Sequence, residues 1–293
     1  MTTLLADIGG TKSRLALARN GRLDGTTICS LDNDQSSGLI PMLADYAAAQ
    51  PVRPRCLILA AAGPVRDGHV RLTNRPDWSC SASALSAATG IGQITLLNDL
   101  QAMGHALAVP EIAGDRLLDT RLVLAIGTGL NVALAYPLSG HVFVPPGESG
   151  YQSLPFTSES DAPILAALAR DFGSNSAEAL VSGPGLTRAH RLMTGADRSP
   201  DDIITSHPDT RDLVLRTLGA MLGSLALMHL PYGGIYLAGS VGRALHAQLD
   251  SPHFRHHFAA RGAYSDIMGH FVLRCIDDDL APLHGLAHLS RKT

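Results

Sequence analysis

Aromatic side chains are scarce in this chain. Of 293 residues, one is tryptophan, six are tyrosine and six are phenylalanine. That leaves little material for the stacking platforms on which proteins hold single-stranded nucleic acid. The core must instead be built from Leu, Ala, Val and Ile, which a hydrophobic content of 45% supplies. Neither sign of charge dominates: 23 Lys and Arg stand against 26 Asp and Glu, a net charge of −3. This balance argues against nucleic acid or an anionic membrane as partner. It leaves small anions open, because local backbone dipoles bind them whatever the net charge. Long apolar runs are also missing. Leu122–Ile126 and Leu222–Leu230 are too short or too interrupted to span a bilayer. The N-terminus enters a strand without a basic leader, so no signal peptide is expected. The four cysteines, Cys29, Cys56, Cys80 and Cys275, show no CxxC spacing, so neither a zinc site nor a redox pair is expected, and scattered thiols fit a cytoplasmic protein. Nor do the thirteen histidines group at ligand spacing: His253, His256 and His257 fall in a polar helical stretch expected to face solvent.

What is present is a regular alternation of strands and helices. Short runs rich in leucine or β-branched residues predict strands at Leu4–Asp7, Ser13–Ala18, Cys56–Ala61, Ile94–Leu97, Leu122–Ile126, Asn131–Tyr136, Ile235–Ala238 and Phe271–Cys275. Helical spacing of apolar residues predicts helices over Gly38–Ala49, Ser81–Thr89, Leu100–Ala108, Ser160–Phe172 and Thr210–Leu230. The first two strands are separated only by Gly9-Gly10-Thr11. They form a hairpin, so the sheet is expected to be mixed rather than purely parallel.

That hairpin is the most informative local feature. Its glycines permit positive φ and a close approach of backbone N–H groups to a ligand, Thr11 adds a hydroxyl, and Asp7 stands at its mouth, placed to hold a hydrated Mg²⁺ or its water. The turn is not a Walker A loop: GxxxxGK[ST] is absent and no helix follows directly. A second turn of the same kind, Gly127-Thr128-Gly129, again lies between two strands, roughly one domain length further on. Two such turns, in two similar domains, are expected to face one cleft as a phosphate clamp.

Further polar groups sit at element ends. Asn98-Asp99 closes a strand just before a helix. Asp99 there could accept an alcohol proton with Asn98 orienting the acceptor, or both could serve as helix caps. Glu148, in Pro146-Gly147-Glu148-Ser149-Gly150, could accept from vicinal hydroxyls of a polyol or be an exposed turn acid. Glu178 could be a first-turn acid favoured by the helix dipole, and the Ser182–Gly185 stretch after it is expected to form a flexible turn. Gly239-Ser240-Val241 ends a strand in small residues, which admits a flat ring such as adenine or a closely packed helix.

In this order, DIGGTKSRLALA, RLTNRPDW, LLNDLQAMGHAL, AIGTGLNVALAY, PPGESGY, SAEALVSGPGL, GGIYLAGSVGRAL and PLHGLAHL resemble the motifs of bacterial glucokinases. Those belong to the superfamily of sugar kinases, heat-shock ATPases and actin. The likeness runs nearly end to end. A cysteine-rich zinc motif, found in the repressor-type sugar kinases, is missing. The resemblance implies two α/β domains of actin-like (ribonuclease H-like) type with mixed sheets flanking a deep cleft. Residues 1–99 and 280–293 would form the smaller and 100–279 the larger, with Asp99 at the hinge and closure on sugar excluding water.

It also implies roles. Ala6, Asp7, Ile8, Gly9, Gly10 and Thr11 resemble the first phosphate loop, with Mg²⁺ at Asp7, directly or through water. Gly127, Thr128 and Gly129 resemble the second, and Gly239 with its neighbours the adenosine segment. Asp99 matches the catalytic base for the sugar 6-hydroxyl. Asn98, Glu148 and Glu178 match sugar ligands, and Tyr151 stands where the family has a sugar-contacting histidine. The implied activity is phosphorylation of glucose or a related hexose by ATP, giving glucose 6-phosphate. The alternatives are a non-catalytic sugar-binding regulator and a kinase for another sugar or a cyclitol. The implied partners are sugar and ATP, with neither nucleic acid nor membrane, and family members often form homodimers.

Three residues depart from the pattern. Tyr151 is longer than histidine and lacks the acceptor–donor pair of a neutral imidazole, which bears on which hexose fits. Asn131 replaces the last glycine of GTGLG, and its tolerance of left-handed φ is expected to preserve the turn. Ser240 replaces the second glycine of AGG, with a modest effect expected.

Overall fold

The computed structural model describes residues 1–114 and 118–291. The chain divides into two compact units: Met1–Arg116 with Gly140–Pro146 and Asp278–Thr293, and Leu117–Ser139 with Gly147–Asp277. Each is built on a mixed sheet, as expected for the actin-like class. The last two residues of the 280–293 segment expected to rejoin the first domain lie outside the described residues.

The first unit opens with a hairpin, β1 (Thr2–Ile8) and β2 (Lys12–Arg19), extended by β3 (Arg22–Asp32). After helix α1 (Leu39–Ala48), strand β4 (Cys56–Ala61) returns parallel to β1. A small antiparallel sheet follows, made of β5 (Val65–Arg66), β6 (His69–Arg71) and β7 (Ser79–Ser81). Helix α2 (Ala82–Thr89) then leads to β8 (Gln93–Asn98), which lies parallel to β4. The main sheet runs β3-β2-β1-β4-β8. Helix α3 (Asp99–Ala106) and the single turn α4 (Pro110–Ala113) follow it.

Alternation explains the two cores. Leu4, Ala6 and Ile8 of β1 pack on one face with Leu43, Leu57 and Leu85, while Leu5 points to the other face beside Ile58 and Ala102. Both faces of β1 and β4 are buried, so these strands read as continuous apolar runs. By contrast β3 is an edge strand with no fully buried residue, and no periodicity betrayed it. The three short strands β5–β7 were equally illegible.

The second unit repeats the scheme. Strands β9 (Arg121–Ile126) and β10 (Leu130–Leu138) form an antiparallel hairpin. Strand β11 (His141–Phe143) follows in the chain. Helices α5 (Ala162–Phe172), α6 (Gly183–Thr194), α7 (Pro200–Ser206) and α8 (Pro208–His229) precede β12 (Ile235–Ala238), which pairs parallel with β9. After α9 (Ser240–His246) and α10 (Pro252–Ala259), strand β13 (Leu273–Cys275) adds parallel to β12. Thus β10-β9-β12-β13 retraces β2-β1-β4-β8. Its core centres on Leu122, Leu124, Leu215, Leu218, Leu222 and Leu237. On α10, His253 and His256 are exposed and His257 is half-buried.

One expectation is corrected here. Ser182–Gly185 is the start of α6 and not a flexible turn: Ser182 Oγ accepts the Gly185 N–H at 3.0 Å, and Pro184 is tolerated in the first turn, where its missing N–H costs nothing.

Helix α11 (Ala281–Leu289) returns to the first unit and packs on α3 through Leu283, Leu286 and Ala287. Gly285 makes that approach possible, since a Cβ there would overlap the Ala102 carbonyl and the Ala106 amide. Gly285→Leu is therefore expected to lower stability by about 1–3 kcal/mol through overpacking, read from urea unfolding; an unchanged midpoint would mean that this contact is not tight.

Candidate active site

Parallel pairing in register fixes the first group of residues. Ile8 is level with Ala61, and Ala61 with Asn98, so β1, β4 and β8 end together. The Gly9–Thr11 turn and the Asn98-Asp99 pair consequently share the carboxyl edge of one sheet, where ligands of α/β folds gather.

The turn is held from several sides. Gly9 N–H donates to the Lys12 carbonyl at 3.0 Å. Asn33, buried just after β3, receives the Ser13 hydroxyl at 2.7 Å and donates its amide to the Gly9 carbonyl at 2.8 Å, while its backbone N–H donates to Thr11 O at 2.9 Å. Arg75 Nε donates to the Gly10 carbonyl at 2.7 Å, and its guanidinium pairs with Asp34 and lies over the Trp78 ring. Asn33 and Arg75 escaped the sequence reading; the only signals were the acid-amide cluster after β3 and the RLTNRPDW run. Gly9 and Gly10 do not use the positive φ that glycine permits. Glycine is needed at Gly9 because a Cβ would come within 2.9 Å of the Lys12 carbonyl.

Asp7 lies opposite Arg14 across the hairpin, with Arg14 Nη1 donating to Oδ2 at 3.3 Å. Burial pushes the Asp7 carboxyl above its ordinary range, and Arg14 pulls only partly against that. Ala6 and Ile8 are fully buried within β1, and Thr11 is exposed.

Asn98 acts as a cap. Its Oδ1 accepts the Leu100 N–H at 3.0 Å, and Gln101 reaches back to the Asn98 N–H at 3.1 Å, completing a capping box. The Asn98 amide also donates to the Gly63 carbonyl at 3.2 Å. Asp99 opens α3, half-buried, with Oδ1 accepting the Leu100 N–H at 2.9 Å.

A second group forms within the other unit. The turn after β9 closes with Gly127 N–H donating to the Gly129 carbonyl at 2.9 Å, and Gly183 at the start of α6 donates to the Gly127 carbonyl at 2.8 Å. A cavity of about 490 Å³ opens beside them, lined by Thr128, Pro184, Arg188 and Arg191 among others, with Ser240 and Val241. Gly239 sits behind that lining at φ 80°, where a Cβ would strike the Ile126 carbonyl.

Glu178 lies in a single turn of 3₁₀ helix, and its Oε2 accepts the Leu130 N–H at 2.8 Å. Glu148 receives the Asn131 amide at 3.1 Å. Loss of water and then the Glu178 charge raise the Glu148 carboxyl above its ordinary range. Tyr151 follows one turn later, 54% exposed, its ring centroid 6.1 Å from Phe172. Its hydroxyl is pushed up by lost hydration first and then by Glu178 and Glu148. Asn131 is not left-handed as expected; it is an ordinary β10 residue paired with Ala125.

The glucokinase family model matches residues 4–293. The glucokinase of Brucella abortus is 31% identical, the alignment covering 98% of this chain and 90% of the relative. That of Nitrobacter hamburgensis is 30% identical over 99% and 98%.

The chain belongs to the glucokinase family.

Among solved structures, the glucokinase of an Antarctic psychrotroph superimposes with a TM-score of 0.81 at 24% identity, covering 100% and 99% of the two chains. A glucokinase from Balamuthia mandrillaris, solved in complex with glucose, gives 0.83 at 20% identity over 99% and 93%. At these identities both speak for the fold.

Asp7 supplies a test that its surroundings set up. A carboxyl raised by folding stabilises the fold while protonated and loses that contribution as pH rises through its folded-state value. Asp7→Asn carries no such loss. Its stability relative to the parent should grow as pH rises through and above the ordinary aspartate range, then level off, in urea unfolding from pH 4 to 7.5. An advantage that shrinks with pH would show that the Arg14 pair outweighs burial.

Proposed function

We propose that this protein transfers the γ-phosphoryl group of ATP to the 6-hydroxyl of glucose, giving glucose 6-phosphate and ADP. The observation that carries the reading is the shared sheet edge of the Gly9–Thr11 turn and Asp99, in a chain of the glucokinase family. Phosphoryl transfer needs little covalent work from the protein; it needs positioning and charge stabilisation. Asp99, at the head of α3, takes the hydroxyl proton as the sugar oxygen bonds to phosphorus and the bond to the ADP oxygen breaks. Gly10–Thr11 and Thr128–Gly129 offer backbone N–H groups to phosphate oxygens, while the Gly9 and Gly127 N–H groups close their own turns, the second turn with the capped start of α6 beside it. The cavity next to α6 receives the adenosine, with Ser240 and Val241 in its wall and Gly239 letting the strand end approach closely. Glu148, Glu178 and Tyr151 contact the sugar hydroxyls. Asn98 holds the strand-to-helix corner that presents Asp99.

The donors fit a hydrated magnesium ion. Asp7 is a buried carboxylate, and among the described residues no cluster of three or more His, Cys, Asp or Glu side chains forms a protein cage. Magnesium commonly takes one or two carboxylates, substrate phosphates and waters. When bound, it would offset negative charge on the transferring phosphate. The four free thiols suit a reducing cytoplasm, and glucose 6-phosphate formation would place the reaction at the entry to glycolysis.

Asp99→Asn is expected to fold and bind sugar as the parent does but to lose turnover by about 10²–10⁴-fold, the usual contribution of a positioned base. A coupled assay with ATP, Mg²⁺ and a panel of hexoses and cyclitols reads this. Near-parental turnover in the variant would remove Asp99 as base. Sugar binding by the parent without turnover on any acceptor would favour the regulator reading that Tyr151 motivates.

A further inference from the structure

Asn131 stands where the family pattern has glycine, and its side chain spends its whole hydrogen-bonding capacity locally. An amide has two donors and an oxygen with two lone pairs. Nδ2 donates to the Gly147 carbonyl at 3.0 Å and to Glu148 Oε2 at 3.1 Å. Oδ1 accepts the Val132 N–H at 2.8 Å and the Ser149 N–H at 2.9 Å. The residue is 9% exposed, and its backbone is held in β10 opposite Ala125. One rigidly seated side chain thus grips three consecutive residues of the Gly147–Ser149 loop. It does so two residues after the Gly127–Gly129 turn.

From this geometry we infer that Asn131 is a positioning residue that fixes the Glu148 carboxylate for the acceptor sugar and sets how well that sugar is held. The inference rests on the proposed role of Glu148 as a sugar ligand. Glycine at this position offers neither the donor to Glu148 nor the acceptor to Ser149, so a chain with glycine must hold its loop by other means. Here Glu148 also feels the charge of Glu178, which with lost hydration resists its ionisation. An amide donor to Oε2 works against both effects. The charge-assisted bond is of the stronger class.

Asn131→Asp changes few atoms but replaces the donor by a negative charge facing Glu148. We expect it to raise the KM for glucose by about tenfold or more, the usual scale for losing a hydrogen bond to a charged group, with the KM for ATP within about twofold. The loss should be partly relieved at lower pH, where one of the two carboxyls takes a proton. Asn131→Gly tests the same contact without new charge and should also raise the glucose KM selectively. Unfolding midpoints of each variant are measured alongside. If both single variants leave the glucose KM unchanged, or raise both KM values in step with a fall in stability, Asn131 only supports the fold and the inference is overturned. If the parent turns over glucose and Glu148→Gln leaves its KM unaltered, the role of Glu148 itself fails instead, whatever Asn131 does.

Discussion

Strand register is the constraint on which the candidate site depends. In the first unit the parallel pairings bring Ile8, Ala61 and Asn98 level. A one-residue slip in β4 or β8 would turn every side chain to the opposite face, mismatching the packing on both sides and breaking the alignment of the turn with Asp99. Such a slip is opposed by burial on both sides of the sheet, where Leu4, Leu5, Leu57 and Ile58 are fully enclosed. Each fully buried aliphatic side chain contributes about 1.5–3 kcal/mol. The chemistry at the edge is therefore located by hydrophobic packing several residues away from it.

The same scheme is used twice. A hairpin followed by two parallel strands places a small-residue turn at the carboxyl edge in each unit. Neither turn uses positive φ at its glycines, and a Cβ would have room at Gly10 and Gly127. Gly9 is crowded by the Lys12 carbonyl, Gly129 by the Glu178 carboxylate and Gly239 by Ile126, and of these only Gly239 has positive φ.

Much of this was legible from residues alone. The buried strands β1, β4, β9 and β12 announced themselves as apolar runs between glycine or acid, and the cap at Ser81 and the strand end at Asn98 were visible as residue types. What stayed hidden has a physical reason in each case. β3 is an edge strand with half-exposed residues and no alternation. The start of α6 carries two glycines and a proline, which read as a turn until Ser182 is seen capping it. Asn33 and Arg75 act on the first turn from 24 and 65 residues away in the chain, a distance no local pattern spans. The roles of Asp99, Glu148 and Glu178 came from family resemblance; as residue types alone, a helix cap, an exposed turn acid and a first-turn helix acid were the better readings.

Asn33 and Asn131 each hold a turn or loop through a side-chain amide. Such an amide can accept from one neighbour and donate to a carbonyl at the same time, tying together segments that their own backbones leave unconnected. Asn33 does this with Ser13 and Gly9. Asn131, on the strand that follows the second turn, holds the Gly147–Ser149 loop instead, through Ser149, Gly147 and Glu148. The bond to Glu148 joins a residue of the second hairpin to the candidate sugar loop inside one unit. Because both ends of the amide are committed, a shift of the loop would break contacts on both at once. The loop is thereby tied to the hairpin at three consecutive residues, a tie that a residue without a side-chain amide could not make.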